Sequence, residues 1–315
     1  MNEREFYIAV QKQIIYFMPS EYEGAKARID DVTKPGDAKL HGLSIHKDES
    51  GAYPLLYLDD YYKLVGEGWP IERILTFIAA DYDRLCKRFP DLKIPDLTYD
   101  KIKNDLRIKL VYINGNKELL KNLYSADVGC GYALTVFADM SDEFAENAVV
   151  NIRKDMIEKY GYDEAQLLQD AVMGSIRNSP AKLSHIEDEI FYDDPENLFY
   201  KDKYNNKGGI LVLTTSDKLF GAAALFYPGI KERIGELVQG SYFVLPSSIH
   251  ELLICPDDGM RTAQDLAEMV SFVNSTEVTK DEQLGNRVLY YDALTRNLEV
   301  AIDKDLMINE TERER

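Results

Sequence analysis

The sequence predicts an α+β protein: a small N-terminal antiparallel sheet with helices, a helical middle, and a C-terminal mixed sheet flanked by helices. Three observations carry that expectation. Apolar residues recur at helical spacing in the first 90 positions, as in Phe6, Val10, Ile14 and Phe17, then Ile74, Leu75, Ile78, Tyr82 and Leu85. Between those stretches, short apolar runs alternate with turn signals such as Lys34-Pro35-Gly36-Asp37 and Lys47–Gly51. In the last third, helical patterns at Ile230–Val238 and Thr262–Val273 stand among short apolar runs.

In chain order, residues 2–18 read as an amphipathic helix with Glu3 and Glu5 at its positive end and Pro19 stopping it. Strands follow at Ala25–Val32, Leu40–His46 and Pro54–Leu58, then a helix at Ile71–Arg88. Tyr99–Tyr112 and Lys117–Leu123 read as helix, turn, helix around Asn114-Gly115-Asn116. Leu134–Ala138 and Ala148–Ile152 are β-rich. Helices are expected at Arg153–Tyr160 and Asp163–Arg177, the second capped by Asp163. Ser179–Lys207 carries no regular pattern. Strands are then expected at Ile210–Thr214, Leu219–Phe226, Tyr242–Leu245, Leu252–Cys255, Val288–Tyr291 and Leu298–Ile302. This gives an N-terminal region over 1–95, a mainly helical middle over 96–206, a C-terminal α+β region over 207–303 and a charged tail over 304–315.

The chain carries 55 acids against 37 bases, a formal net charge of −18, which disfavours binding to nucleic acid because phosphate neutralisation supplies most of that affinity. It suits a basic protein partner. The 21 tyrosines offer apolar area with a hydroxyl that needs a partner, so they suit half-buried strands first and a contact surface second. Cys86, Cys130 and Cys255 are widely spaced and odd in number, which fits reduced thiols in a cytoplasmic protein. The start, MNEREFYIAVQKQ, has acids where a secretory signal has a basic start, and no window reaches the ~20 apolar residues of a membrane span. No membrane association is expected.

The densest meeting of core-like and reactive residues is Ser241–Asp258, where two apolar runs flank the corner Pro246–Glu251. Ser247, Ser248, His250 and Glu251 there are the candidate catalytic residues: a hydroxyl nucleophile, an imidazole base and a carboxyl group. Neighbours this close in sequence rarely converge on one another, and Pro-Ser-Ser more often turns a chain through hydroxyl bonds to the backbone. Asp127–Ala133 looks like the glycine loop of an S-adenosylmethionine methyltransferase, but no apolar strand precedes it and a β-rich run follows. A glycine turn feeding a strand is the better reading. His41 and His46 fall on opposite faces of one strand. The tandem Asp59-Asp60 reads as an acidic strand-to-helix corner, and the acids around His185 as a solvated loop. No cofactor or metal is expected.

From Leu213–Thr215 and Lys218–Ala223 through Tyr227-Pro228-Gly229, Leu245–Glu251, Pro256-Asp257-Asp258, Met269-Val270, Val273-Asn274 and Tyr290-Tyr291-Asp292, the chain resembles a family of uncharacterised bacterial (Firmicutes) proteins, a domain of unknown function. Tyr57–Tyr62 and Asn116–Leu120 extend the resemblance over nearly the whole chain. It implies a bacterial, cytoplasmic, single-chain protein and brings no activity with it. The residues favour a non-enzymatic protein-binding or regulatory module with an acidic, tyrosine-bearing surface. Two alternatives stand beside it: a hydrolase or transferase with its pocket at the Pro246–Glu251 corner, and a mobile-element factor whose acidic face mimics nucleic acid.

Overall fold

Helix α1 (Glu3–Gln13) starts on a capping box, with the Asn2 side chain accepting from Glu5 N and the Glu5 carboxylate accepting from Asn2 N. A 3₁₀ turn, Ile14–Phe17, continues it, so that Phe6, Val10 and Ile14 share one buried stripe. The computed structural model describes residues 1–47, 53–88, 96–141, 148–201, 209–246 and 248–303. They fall into two compact units, one of Met1–Lys34 and Ala38–Asp96, the other of Pro35–Asp37 and the chain from Leu97 onward.

In the first unit, β1 (Lys26–Thr33) and β2 (Lys39–His46) form an antiparallel ladder, and the short β3 (Leu56–Tyr57) pairs with the far side of β2. Helices α2 (Asp59–Gly66) and α3 (Ile71–Arg88) follow. The α3 periodicity buries Ile74, Leu75, Ile78, Ala79 and Tyr82 against Phe6, Val10, Leu43 and Ile45. Each large apolar side chain so buried contributes about 1.5–3 kcal/mol. The Tyr82 hydroxyl accepts from Ile45 N at 2.7 Å and donates to Pro54 O at 3.2 Å.

The second unit opens with α4 (Tyr99–Ile102), β4 (Leu106–Tyr112), α5 (Lys117–Asn122), β5 (Ser125–Gly129), β6 (Tyr132–Asp139) and β7 (Val149–Asn151). Strand β6 pairs antiparallel with β4, β5 and β7. Helices α6 (Lys154–Tyr160) and α7 (Glu164–Asn178) come next, the latter capped by Asp163 as its sequence predicts. Helix α7 lies so close to β4 that a Cβ on Gly174 would stand 2.2 Å from Leu106 O.

Then come β8 (Ala181–His185), α8 (Ile186–Phe191), β9 (Leu211–Thr215), α9 (Ile230–Val238), β10 (Tyr242–Leu245), β11 (Leu252–Pro256), α10 (Ala263–Thr276), β12 (Arg287–Asp292) and β13 (Asn297–Asp303). Their sheet runs β13-β12-β10-β11-β9-β8 and is antiparallel throughout, not mixed. The reason is topological. The connections carrying α9 and α10 each step over one strand, so the strands they join run parallel without touching, while every adjacent pair is antiparallel. Thr262 caps α10 by accepting from Asp265 N, and its replacement by alanine is expected to cost about 1 kcal/mol, read as a lowered urea midpoint.

The α+β class therefore holds, with three local departures from the sequence reading. Leu106–Tyr112 is a strand, so the middle of the chain carries a sheet of its own. Leu219–Phe226 is not a strand; Gly221–Phe226 forms a 3₁₀ helix, entered through Phe220 in the left-handed region. The interval after Ser179 holds β8 and α8. Among the described residues, nine of the 21 tyrosines are buried in the interior. Tyr132, Tyr227 and Tyr242 are buried, and their hydroxyls donate to Leu284 O, Ser179 O and Lys231 O, the first two joining segments far apart in sequence. Among the described residues no helix is long and apolar enough to cross a membrane.

Candidate functional site

The Pro246–Glu251 corner joins β10 to β11, and its polar groups mostly serve the backbone. Ser248 is buried, and its hydroxyl accepts from His250 N at 3.1 Å, while Ser248 N donates to Glu251 O. Ile249 N donates to Glu282 O, and the His250 carbonyl accepts from Thr214 Oγ1 at 2.8 Å. This is the hydroxyl-stabilised turn that Pro-Ser-Ser suggests. Ser247 lies outside the described residues.

The His250 ring finds its partners in other segments of the chain. Its Nδ1 accepts from Phe220 N at 3.3 Å, its plane stacks on the Phe220 ring at 5.6 Å, and its Nε2 stands 3.6 Å from Glu282 Oε1. A neutral ring accepting at Nδ1 carries its proton on Nε2, toward that carboxylate. No hydrogen bond joins Ser248 Oγ to the imidazole. Burial raises the Glu251 carboxyl pKa, with the Glu189 charge adding to it, and Lys218 and His250 opposing.

The corner does bring in residues that the sequence reading passed over. Phe220 holds φ +55°, which is costly for a bulky side chain, and it is held there by the hydrogen bond its backbone N donates to His250 Nδ1 and by an edge contact with Phe137. The Lys109 ammonium sits over the same Phe220 ring, 4.4 Å from its centroid. Burial pushes the Lys109 pKa down to about 8, against the pull of Asp281 and Glu282. The available signal was the alternation Leu106-Arg107-Ile108-Lys109-Leu110, which marks a strand with a cationic second face.

A second constellation lies within the first unit. His41 on β2 presents its backbone N to Asp59 Oδ2 at 2.9 Å and its Nδ1 to Asp59 Oδ1 at 3.0 Å. Its Nε2 is 3.7 Å from Oδ1 of Asp31, the residue directly across the β1–β2 ladder. Tyr7 from α1 stacks on the imidazole at 4.0 Å, and its hydroxyl donates to Glu3 Oε1 at 3.3 Å and Asp59 Oδ1 at 3.4 Å. Burial, then the Asp59 and Glu3 charges, raise the phenol pKa. Glu3, Tyr7, Asp31 and His41 line a cavity of about 330 Å³. His46 is engaged elsewhere, with Ser44 Oγ.

The third feature is on the second unit's surface. At the end of α8, Ile190, Phe191 and Tyr192 are consecutive and 72%, 77% and 62% exposed, and Tyr200 is exposed in the same interval. The ten residues Glu187–Glu196 contain six acids and no base. Large apolar side chains exposed side by side mark contact surfaces more often than singly exposed ones do.

The sequence model of a family of unknown function, DUF5688, matches residues 3–293. No curated protein and no solved structure matches the chain.

Proposed function

Given that the chain belongs to the family of unknown function DUF5688, we propose that it acts by binding another protein rather than by catalysis. In this reading it is a bacterial cytoplasmic module, and its docking surface is the Ile190-Phe191-Tyr192 stretch. The observation that carries the reading is that run of exposed apolar side chains set in a segment of one charge sign. The occupant it fits is a basic segment, with lysine or arginine flanking an apolar side chain. Complementary charge would steer the encounter, and desolvated aromatic contacts would hold it. A second copy fits poorly, because two chains of net charge −18 would bring like-charged rims together.

The hydrolase or transferase reading draws less support from the corner, since Ser248 Oγ serves the turn and both imidazole nitrogens of His250 face Phe220 N and Glu282.

The test compares wild type with a Phe191→Ser, Tyr192→Ser variant as bait in lysate of the host, at low and high salt. We expect a stoichiometric partner with a basic, partly apolar segment, released by salt and depleted at least about tenfold with the variant. Equal capture by the variant, no capture, or self-association through this stretch would overturn the proposal. Both side chains are exposed, so the variant should keep the wild-type circular dichroism spectrum.

A further inference from the structure

We propose that Glu3, His41 and Asp59 form a binding site for a divalent first-row transition metal ion, with open coordination positions facing the adjoining cavity. One ligand atom from each of the three lies within 4.8 Å of the others, a spread that a single ion can bridge. The donors come from three elements, the first turn of α1, strand β2 and the first turn of α2, so the fold of the first unit itself assembles them.

Two further observations separate this cluster from an ordinary acidic surface. The first is preorganisation. Asp59 is oriented by the backbone N of His41, and the imidazole is held between the Tyr7 ring and the Asp31 carboxylate, the kind of outer support that fixes metal ligands. The second is crowded negative charge: Asp59 Oδ1, which meets His41 Nδ1 at 3.0 Å, also faces Glu3 across the Tyr7 hydroxyl. Glu3 and Asp59 share one phenolic proton through bonds of 3.3 and 3.4 Å, well beyond the usual ~2.7–2.8 Å for O–H···O, and Asp31 adds a third carboxylate nearby. A cation between the two carboxylates and the imidazole would relieve that repulsion.

The donor set defines the ion. One imidazole and two carboxylates suit zinc, cobalt or manganese. The absence of thiolate among these ligands disfavours copper(I), and an imidazole with so few oxygens disfavours calcium and magnesium. Three protein ligands beside a cavity of about 330 Å³ resemble sites that keep water or substrate in the remaining position, whereas structural zinc sites are closed by four.

The experiment is titration of the metal-free full chain with Zn²⁺ by calorimetry, and with Co²⁺ by visible absorption, for wild type, Glu3→Gln, His41→Ala and His46→Ala. The expected result is one ion per chain, a cobalt spectrum with nitrogen and oxygen ligation, and at least tenfold weaker binding in Glu3→Gln and His41→Ala, with His46→Ala unchanged. Glu3 is exposed, so Glu3→Gln tests the site without endangering the fold. Binding of neither ion, or binding that Glu3→Gln and His41→Ala leave intact, would overturn the proposal.

Discussion

Replacing Arg287 by alanine is expected to lower the stability of the second unit by about 3–5 kcal/mol, the range for removing one partner of a buried ion pair. Arg287 and Asp303 are both nearly inaccessible, with Nη2 and Oδ2 2.6 Å apart across the first rung of the β12–β13 ladder. The other terminal nitrogen, Nη1, donates to Cys130 O, and the guanidinium carbon lies 4.8 Å from the Tyr112 ring centroid and 5.8 Å from that of Tyr132. Alanine would remove the guanidinium that faces the buried Asp303 carboxylate at 2.6 Å and open space beside two aromatic rings. The double variant Arg287→Met, Asp303→Leu removes both charges while keeping volume, and should recover most of the loss. Urea unfolding followed by far-ultraviolet circular dichroism measures this. The single tryptophan, Trp69, belongs to the first unit, so its fluorescence reports on that unit instead. An unchanged midpoint in Arg287→Ala would show that the pair contributes nothing.

Lys109→Met is expected to act in the opposite direction, stabilising the protein by about 1–2 kcal/mol at pH 7. The sign follows from proton linkage. Burial lowers the Lys109 pKa from its ordinary 10.5 to about 8, so between those values the unfolded chain binds more protons and stability rises with pH. Below pH 8 the folded protein carries the full cost of the buried ammonium, about 3 kcal/mol. Methionine removes that cost, keeps an apolar stem against Phe220, and gives up a cation–π contact of about 1 kcal/mol. The gain should therefore shrink as pH rises from 8 and vanish near pH 10.5. Urea midpoints of both proteins across that range decide it, and a gain independent of pH would refute the account.

Helices were the most legible part of the sequence. Ile71–Arg88 and Ile230–Val238 are bounded in the structure as their periodicity suggests, and Asp163 caps its helix as expected. Strands whose second face is charged were harder to read. In Leu106–Tyr112 the even-numbered residues Leu106, Ile108 and Leu110 are core, but Arg107 and Lys109 disguise a face that is itself largely covered. Arg107 can lie there because Asp139 and Asp217 meet it at 2.7 and 2.6 Å, partners that no local window reveals. The run Leu219–Phe226 looks like a strand because its residues are small and apolar. Its conformation is set instead by Phe220 at positive φ and by Gly221, where a Cβ would stand 2.5 Å from His250 O.

The sites follow the same division. The turn at Pro246–Glu251 was legible because serine hydroxyls bond to nearby backbone, a local rule. The partners of the His250 ring were not, because Phe220 and Glu282 arrive from other segments of the chain. Asp59 was read as a corner acid, and nothing near it in sequence points to His41 or Glu3. The glycine turn at Asp127–Ala133 was recognised as a turn, but its glycine at 131 has a distant cause. A Cβ there would fall 1.8 Å from Arg287 Nη1, so the missing side chain makes room for the guanidinium.

The Arg287–Asp303 pair also has a meaning in time. A ribosome delivers β13 after every other described strand, and Asp303 after the rest of β13. Until that residue leaves the exit tunnel, closing the six-stranded sheet would enclose a lone cation between two tyrosines, so completion of the second unit is expected to wait for it. Every residue of the first unit has by then long been synthesised. A premature stop between Arg287 and Asp303 would thus act less like a trimmed end than like Arg287→Ala in reverse, leaving the guanidinium where that substitution leaves the carboxylate.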